Sequence, residues 1–141
     1  MIFLTGADYP KKVIPLINEA KTSIDIVSYD WRWYRDQVGH PVQQFNIALV
    51  QAKQRGVEVR AVLNSALLLP TLNKVGIKAR RLNDKRTVHT KMIIVDHKIL
   101  VIGSHNLTRN AFTTNLETSV VIELTADDKR VLQYFENLYT I

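Results

Sequence analysis

Two nearly continuous apolar runs constrain the fold of this chain more than any other feature. Lys91–Val95 and Ile99–Ile102 lack polar alternation and are separated only by Asp96, His97 and Lys98. Strands with one solvated face alternate between apolar and polar residues, whereas strands covered on both faces read as continuous apolar runs. The sequence therefore predicts two central strands in a sheet that is covered on both sides. Thr118–Leu124 repeats the pattern and predicts a third.

Helical patterns alternate with the other predicted strands. Asp8 is the expected N-cap of a first helix with Pro10 in its first turn, and Pro41 opens a second helix that ends at Gly56. A short helix over Pro70–Val75 and a last helix from Asp127 follow. The remaining predicted strands are Ile2–Leu4, Ser23–Tyr29, Val57–Leu63 and Ile77–Leu82. This order predicts an α/β fold, a mixed β-sheet of about seven strands with helices on both faces.

The length indicates one domain over residues 1–141, large enough to bury a core without disulfides. Cysteine is absent, which excludes disulfides, thiolate zinc sites and thiol catalysis. No apolar run approaches the roughly 18–20 residues of a membrane span. Because residues 1–6 do not resemble a signal peptide, we expect a cytoplasmic protein.

Positive charge is concentrated in one segment. The chain carries 19 Lys and Arg against 13 Asp and Glu, a net charge of +6. Residues 74–91, which we call the basic window, hold seven bases against Asp84 and therefore account for the whole excess. The bases are Lys74, Lys78, Arg80, Arg81, Lys85, Arg86 and Lys91. Such a window fits a polyanionic partner, but it equally fits the charged protection of an exposed edge strand.

Polar side chains that could take part in catalysis cluster at the ends of predicted strands. His89 and Lys91 lie two residues apart, so on a strand they point to the same face. Burying a lysine without a partner is costly, which makes this pair unsuited to a core. Ser104 and Asn106 directly follow a predicted buried strand, and Glu117 precedes the next one. The sequence therefore predicts a polar site at one end of the sheet.

The spacing of these residues resembles a known signature. His89-x-Lys91-x4-Asp96, then Gly103-Ser104-x-Asn106, then Glu117, is similar to the motif of the phospholipase D superfamily. The order of the surrounding elements resembles that fold over nearly the whole chain. The chain is most similar to the short bacterial endonuclease branch, which carries one copy of the motif instead of two.

The resemblance implies a metal-independent phosphodiesterase without cofactors, whose single motif copies pair in a homodimer to build one site. His89 of one chain would form a phosphohistidine, and His89 of the other would protonate the leaving oxygen. Lys91 and Asn106 would hold the phosphate oxygens. Glu117 would orient the His89 ring, and Ser104 would shape the same hydrogen-bond network. Asp96 and Gly103 would be structural.

Elementary chemistry agrees with these roles. A phosphodiester is anionic, so cationic and amide donors must neutralise its oxygens as charge shifts. Imidazole can attack when neutral and donate a proton when charged near pH 7. The sequence also lacks a concentrated carboxylate cluster of the kind that holds Mg²⁺ in two-metal nucleases.

Residues around the motif carry further expectations. Arg80, Arg81, Lys85 and Arg86 of the basic window are expected to bind substrate. Arg109 either contacts a flanking phosphate or is unengaged. The remaining histidines are expected to be solvated loop residues: His40, His97 and His105. For His105, which lies within the Gly103–Asn106 segment, contact with substrate is the less favoured alternative.

An aromatic loop over residues 30–35 interleaves tryptophans with arginines. Such a mixture can stack bases and hold phosphates, as in single-strand binders. Alternatively Trp31 or Trp33 packs into the core or a dimer interface, which is the usual place of tryptophan and the outcome we favour slightly.

Three function classes remain open. The leading hypothesis is a homodimeric, metal-independent endonuclease that acts on DNA or RNA. The second is a phospholipase D or phosphatidyltransferase with a lipid substrate, although the sequence shows no amphipathic apolar face or membrane anchor. The third is a nucleic-acid-binding module that has lost catalysis, which the complete set of motif residues argues against.

Overall fold

The computed structural model describes all 141 residues as one mixed seven-stranded sheet with helices on both faces. The strands are β1 (Ile2–Thr5), β2 (Ser23–Ser28), β3 (Glu58–Leu63), β4 (Lys78–Arg81), β5 (Met92–Val95), β6 (Ile99–Gly103) and β7 (Thr118–Glu123). The helices are α1 (Asp8–Glu19), α2 (Pro41–Gln54), α3 (Leu69–Lys74), α4 (Arg109–Thr113) and α5 (Lys129–Thr140). The predicted α/β class, strand number and two-sided helix cover are confirmed.

Strand order decides which ends of the strands meet. The sheet runs β1-β7-β6-β5-β2-β3-β4. β2, β3 and β4 are parallel, whereas β5 is antiparallel to both of its neighbours, β2 and β6. The start of β5 therefore lies beside the ends of β2 and β6.

The two cores lie on opposite faces of the sheet. The larger core lies under α1, α2, α3 and α4, with Phe45 and Phe112 among its fully buried side chains. The smaller core lies under α5 and is built around Phe135. None of the helices combines the length and apolar character needed to cross a membrane.

Burial confirms β5 as a central strand, since all four of its residues are buried. β6 is buried in its middle, at Leu100 and Val101. The same expectation for β7 is wrong, because Val120 and Ile122 on its α5 face are only half-buried. β7 lies one strand from the edge of the sheet, and α5 packs nearer β3 at the other side.

The structure differs from the sequence prediction at the start of α1, and it contains one short helix that was not predicted. Ala7, not Asp8, is the N-cap of α1. Asp8 is the first helical residue, and its carboxylate reaches back to accept hydrogen bonds from Thr5 N and Oγ1, both at 3.1 Å. Helix α4 was not predicted, because its five residues are too few to show a helical apolar stripe.

Asp25 is a charged residue inside the central strand β2, and it is only 2% exposed. Its carboxylate accepts from Arg60 Nε at 2.9 Å, and the same guanidinium binds Glu136 of α5 at 2.5 Å. Burying a carboxylate is tolerated where a cation pairs with it. This ion-pair network ties α5 to the sheet.

Gly103 ends β6 where the backbone of β7 approaches closely. A Cβ at this position would collide with the Ser119 side chain and the Thr118 carbonyl. Only glycine allows so close a pairing. Gly103 therefore allows β6 to pack closely against β7, which is a structural contribution to the fold.

Asp96 lies in the tight turn between β5 and β6, with a positive φ of 54°. Its carboxylate accepts hydrogen bonds from the backbone N–H groups of Lys21, Thr22 and Ser23, at 3.0, 2.7 and 3.1 Å. Thr22 Oγ1 donates a further bond at 3.1 Å. Asp96 thus ties this turn to the segment that enters β2, at the end of β5 opposite His89.

The same contacts set the acidity of Asp96. Burial alone would raise the pKa of this carboxyl, but the hydrogen bonds from Thr22, Ser23 and Lys21 outweigh it, so the pKa lies below its ordinary value of 3.8.

Replacing Asp96 with asparagine should lower the free energy of unfolding by about 2 kcal/mol at pH 7, because charge-assisted hydrogen bonds become neutral ones. Asparagine tolerates the positive φ, so backbone strain does not confound the comparison. A carboxyl with a lowered pKa stabilises the fold above its unfolded pKa and loses that contribution in acid. The difference in the free energy of unfolding between wild type and Asp96→Asn, measured by urea unfolding, should therefore shrink below pH 3.8. A difference that is independent of pH would contradict this account.

Candidate active site

The register of β5 brings the predicted site residues to one edge of the sheet. Met92 pairs with Val27 of β2 and with Ile102 of β6, and Gly103 pairs with Ser119 of β7. The residues just before β5, just after β6 and just before β7 therefore meet. They are His89, Lys91, Ser104, Asn106 and Glu117. We call this the site edge.

His89 and Lys91 form the centre of the site edge. His89 is exposed and Lys91 is half-buried. The Lys91 ammonium donates to the His89 carbonyl at 2.9 Å and lies 3.1 Å from Nδ1 and 3.3 Å from Nε2 of the ring. An ammonium only donates, so this contact uses an unprotonated ring nitrogen. The pair presents a nucleophile and a cation to the same ligand.

The environment of Lys91 lowers its pKa. Burial is the main cause, because it disfavours the charged ammonium, and the Glu117 carboxylate partly opposes the shift.

Tyr29 is a site residue that the sequence analysis missed. Its ring centroid lies 4.7 Å from that of His89, and Lys91 Nζ lies 5.3 Å from it. Tyr29 directly follows β2, the strand that pairs with β5. That strand pairing is not visible in the sequence.

Glu117 and Ser104 form the predicted network, with one difference. Ser104 Oγ donates to Glu117 Oε1 at 2.5 Å, and Asn115 Nδ2 donates to Oε2 at 3.1 Å. Ser104 Oγ also accepts from Thr118 N at 3.1 Å. The expected bond from Glu117 to the His89 ring is not formed within the single chain. Each carboxylate oxygen accepts one of these side-chain hydrogen bonds and can accept a second.

Asn106 has unused hydrogen-bonding capacity. Its Oδ1 is buried and has no partner. The adjacent backbone is fixed, since Leu107 N donates to Asp30 O and Arg32 N donates to Leu107 O, both at 3.0 Å. Only the Nδ2 group of this side chain is a donor, so Nδ2 is the atom that can pair with a phosphate oxygen, whereas Oδ1 accepts.

Two of the histidines predicted to be solvated are buried. His105 is 2% exposed, contacts Ser119 Oγ at 2.7 Å and the Gly6 carbonyl at 2.9 Å, and stacks on Tyr9. Burial lowers its pKa. The prediction is wrong because the ring packs against Gly6, Tyr9 and Ser119 instead of facing solvent.

His40 is the other buried histidine. It is 8% exposed and caps α2, accepting from Val42 N at 3.1 Å. Its Nε2 lies 3.3 Å from Arg109 Nε, so the Arg109 side chain lies against the protein. Burial, and then the charge of Arg109, lowers the pKa of His40. His97 is exposed in its turn, as predicted.

The basic window divides into engaged and unengaged cations. Arg80 donates to the Tyr139 and Ile141 carbonyls at the end of α5. The Arg86 guanidinium donates hydrogen bonds of 2.6 to 3.0 Å to the Asp84 carboxylate. Arg81 and Lys85 are exposed and form neither ion pairs nor side-chain hydrogen bonds, and they line a cavity of about 390 Å³ beyond the end of β4. β4 is indeed an edge strand.

The aromatic loop contributes to the core. Trp31 is 6% exposed, packs in the larger core and donates from Nε1 to Asn46 Oδ1 at 2.8 Å. This confirms the favoured core packing for Trp31. Trp33 is half-buried at the surface of the same core.

The chain contains no group of three or more His, Cys, Asp or Glu side chains arranged to hold a metal ion.

The sequence matches a family model described as "Cardiolipin synthase, PLD-like domain" over residues 13–139. The chain belongs to the phospholipase D-like family. The predicted resemblance to this family is thus confirmed.

Known relatives of this family member carry two kinds of name. Human mitochondrial cardiolipin hydrolase is 30% identical over 142 residues, which cover 96% of this chain and 52% of the relative. A phospholipase D of Rickettsia conorii is 32% identical, with 96% of this chain and 64% of the relative covered. The chain therefore spans about half to two thirds of the length of these relatives.

Solved structures confirm the phospholipase D-like fold. Nuc from Salmonella typhimurium, a phospholipase D family member, superposes with a TM-score of 0.80 at 27% identity, covering 99% of this chain and 94% of Nuc. NucT from Helicobacter pylori has the same fold, with a TM-score of 0.79 at 21% identity.

Replacing Glu117 with glutamine should lower the pKa of Lys91 further, because the carboxylate that favours the ammonium is removed. NMR titration of the Lys91 side chain measures this shift. Glu123→Gln is the matched control, since Glu123 is an exposed glutamate at the far end of β7. Equal titration of Lys91 in wild type and Glu117→Gln would contradict the arrangement of the site edge.

Proposed function

We propose that this chain is a phosphodiesterase that cleaves nucleic-acid phosphodiester bonds through a phosphohistidine at a site shared by two copies. One observation carries the proposal. An exposed His89 lies 3.1 Å from the Lys91 ammonium, at the sheet edge where Asn106 and Glu117 converge. Nucleophile, cation and amide donor are thus presented to one ligand.

In the first step, a neutral ring nitrogen of His89 attacks the phosphorus. The P–N bond forms as the bond between phosphorus and the leaving oxygen breaks, and that oxygen takes a proton from the imidazolium of the second copy's His89. Lys91 and Asn106 stabilise the equatorial phosphate oxygens, where negative charge shifts in the transition state. Protein groups supply all of this charge neutralisation, so the proposal includes no metal or cofactor.

In the second step, water replaces histidine. The second His89, now neutral, takes a proton from the water as the water oxygen attacks phosphorus. The P–N bond breaks, its electron pair returns to the ring nitrogen, and the product phosphate leaves. Both histidines regain their starting protonation states, which closes the cycle.

The need for two imidazoles supports a homodimer. One ring cannot be the nucleophile and the proton donor to the leaving group in the same step, and each chain offers one histidine at the site edge. Leu116, next to Glu117, is 103% exposed, an apolar surface that a second chain can cover. In such a dimer Glu117 of either chain also becomes available to orient the opposite ring.

The charge around the site favours nucleic acid as substrate. The basic window leads directly into His89, and its Arg81 and Lys85 are exposed and unengaged. Asn64 Oδ1 accepts from Val88 N at 2.9 Å, which fixes the strand end beside these cations to the residue before His89. Cations that follow a polymer backbone contribute to affinity whatever the base sequence.

Lipid phosphodiesters are the second candidate substrate. The observation that favours them is the set of relatives named as a cardiolipin hydrolase and a phospholipase D, at 30% and 32% identity.

A substrate panel in EDTA tests the proposal. Purified protein is incubated with plasmid DNA, single-stranded DNA, RNA, and vesicles that contain cardiolipin or phosphatidylcholine. We expect cleavage of at least one nucleic acid, undiminished by EDTA and lost in His89→Ala, because the reacting groups are side chains. His97→Asn is the control, since His97 is an exposed histidine at the opposite edge of the sheet and asparagine tolerates its positive φ of 56°.

Two results would overturn parts of the proposal. Hydrolysis of the vesicles alone would assign the site to lipids. Activity that is lost in EDTA and restored by Mg²⁺ would overturn the metal-free chemistry.

A further inference from the structure

A cavity of about 430 Å³ lies beside the site edge, where β2 and β3 end. Its volume falls within the roughly 300–1,000 Å³ typical of small-ligand sites. Ser28 and Leu63 line its base, and Tyr29 and Trp33 line its aromatic side. Tyr29 is shared with the site edge, because its ring lies 4.7 Å from the ring of His89. A group bound here therefore lies next to a phosphate bound at His89.

An unpaired hydroxyl marks the base of the cavity. Ser28 is 3% exposed, and its Oγ has no hydrogen-bond partner. Leaving a buried hydroxyl unpaired is costly, so its presence at the wall of a cavity indicates a ligand that pairs with it. A hydroxyl both donates and accepts, which suits ligands whose edges present either kind of group.

A second polar group faces the same space. Asn64 lines the cavity, and its Oδ1 is engaged by Val88 N at 2.9 Å, whereas its Nδ2 makes no hydrogen bond within the chain. The Arg32 side chain also lines the cavity, is 60% exposed and pairs with Asp30 at 2.9 Å. The cavity thus combines aromatic rings, two unused hydrogen-bonding groups and an ion pair.

The loop that forms the aromatic side is held rigidly. Arg32 N donates to the Leu107 carbonyl, and the backbones of Trp31 and Leu107 form an isolated parallel β-bridge. Leu107 is the residue after Asn106. The Trp31 indole is fixed by Asn46 within the larger core. The cavity is therefore preformed and keeps a constant position relative to the site edge, as a subsite must.

We infer that this cavity binds the nucleobase adjacent to the scissile phosphate. The inference rests on the function proposed above and adds where the substrate's base is held. Bases stack on aromatic rings whatever their identity, and their edges carry the donors and acceptors that Ser28 and Asn64 can pair with. A glycerol headgroup offers no flat ring for the aromatic side.

The experiment uses an end-labelled single-stranded oligonucleotide that contains one stable abasic residue. Cleavage rates at each linkage are read from a sequencing gel for wild type and for two variants. Ser28→Ala removes the unpaired hydroxyl in the cavity. Ser23→Ala is the matched control, because Ser23 Oγ is also buried and unpaired but lies at the opposite end of the same strand.

For wild type, we expect the linkage on one side of the abasic residue to be cleaved about tenfold more slowly than the other linkages, because stacking of one base is lost. Ser28→Ala should slow cleavage at the intact linkages by about three- to tenfold, the effect of one lost hydrogen bond, and leave the linkage beside the abasic residue unchanged. Ser23→Ala should match wild type at every linkage. The thermal midpoint of Ser28→Ala should not fall, since no hydrogen bond within the protein is lost.

Uniform cleavage on both sides of the abasic residue by wild type would overturn the base subsite and leave the nuclease proposal intact. Equal slowing of every linkage in Ser28→Ala, or a fall in its thermal midpoint that Ser23→Ala does not share, would also overturn the subsite. Absence of any cleavage by wild type, together with His89-dependent hydrolysis of vesicles, would instead overturn the nucleic-acid function itself.

Discussion

The insertion of β5 between β2 and β6, antiparallel to both, is the constraint on which the candidate site depends. This pairing places residues 89–91 beside the ends of β2 and β6 and the start of β7. His89, Asn106 and Glu117 are spread over 29 positions of the chain, and only the strand register brings them to one edge. A shift of the register by one residue would turn every side chain of β5 to the opposite face. The continuous apolar character of β5 is thus as important for the site as the polar residues are.

The motif residues lie at two opposite edges of the sheet. This separation explains why some of them form the candidate site and others stabilise the fold. β5 separates His89 and Lys91 from Asp96 by the length of one strand. Asp96 holds three backbone N–H groups of the segment that enters β2, the strand beside β5. Asp96 therefore stabilises the pairing of β2 with β5, which positions the site residues, although Asp96 itself lies away from the site edge. Gly103 acts similarly at the site edge, because it allows β7 to approach closely enough to carry Glu117.

Periodicity in the sequence was sufficient to predict the fold class, the seven strands and the central position of β5, because apolar patterns report directly on burial. Motif spacing was sufficient to predict which polar residues share an edge. Contacts between distant segments were not predictable. His105 and His40 look like loop histidines in the sequence, yet His105 contacts the distant Gly6 carbonyl. His40 stacks on Tyr34 and contacts the distant Arg109. Tyr29 joins the site only through the pairing of β2 with β5, and the five residues of α4 are too few to leave a pattern.

The central claim of the account is that two copies of His89 serve one site. A heterodimer tests it most directly, with one wild-type chain and one His89→Ala chain purified through two different affinity tags. The account predicts that this heterodimer loses nearly all turnover, because its only site lacks either the nucleophile or the proton donor. It also predicts that an alkaline-quenched wild-type reaction holds at most one phosphohistidine per two chains by mass spectrometry. A heterodimer that keeps half of the wild-type rate would contradict the account, since each chain would then contain a complete site.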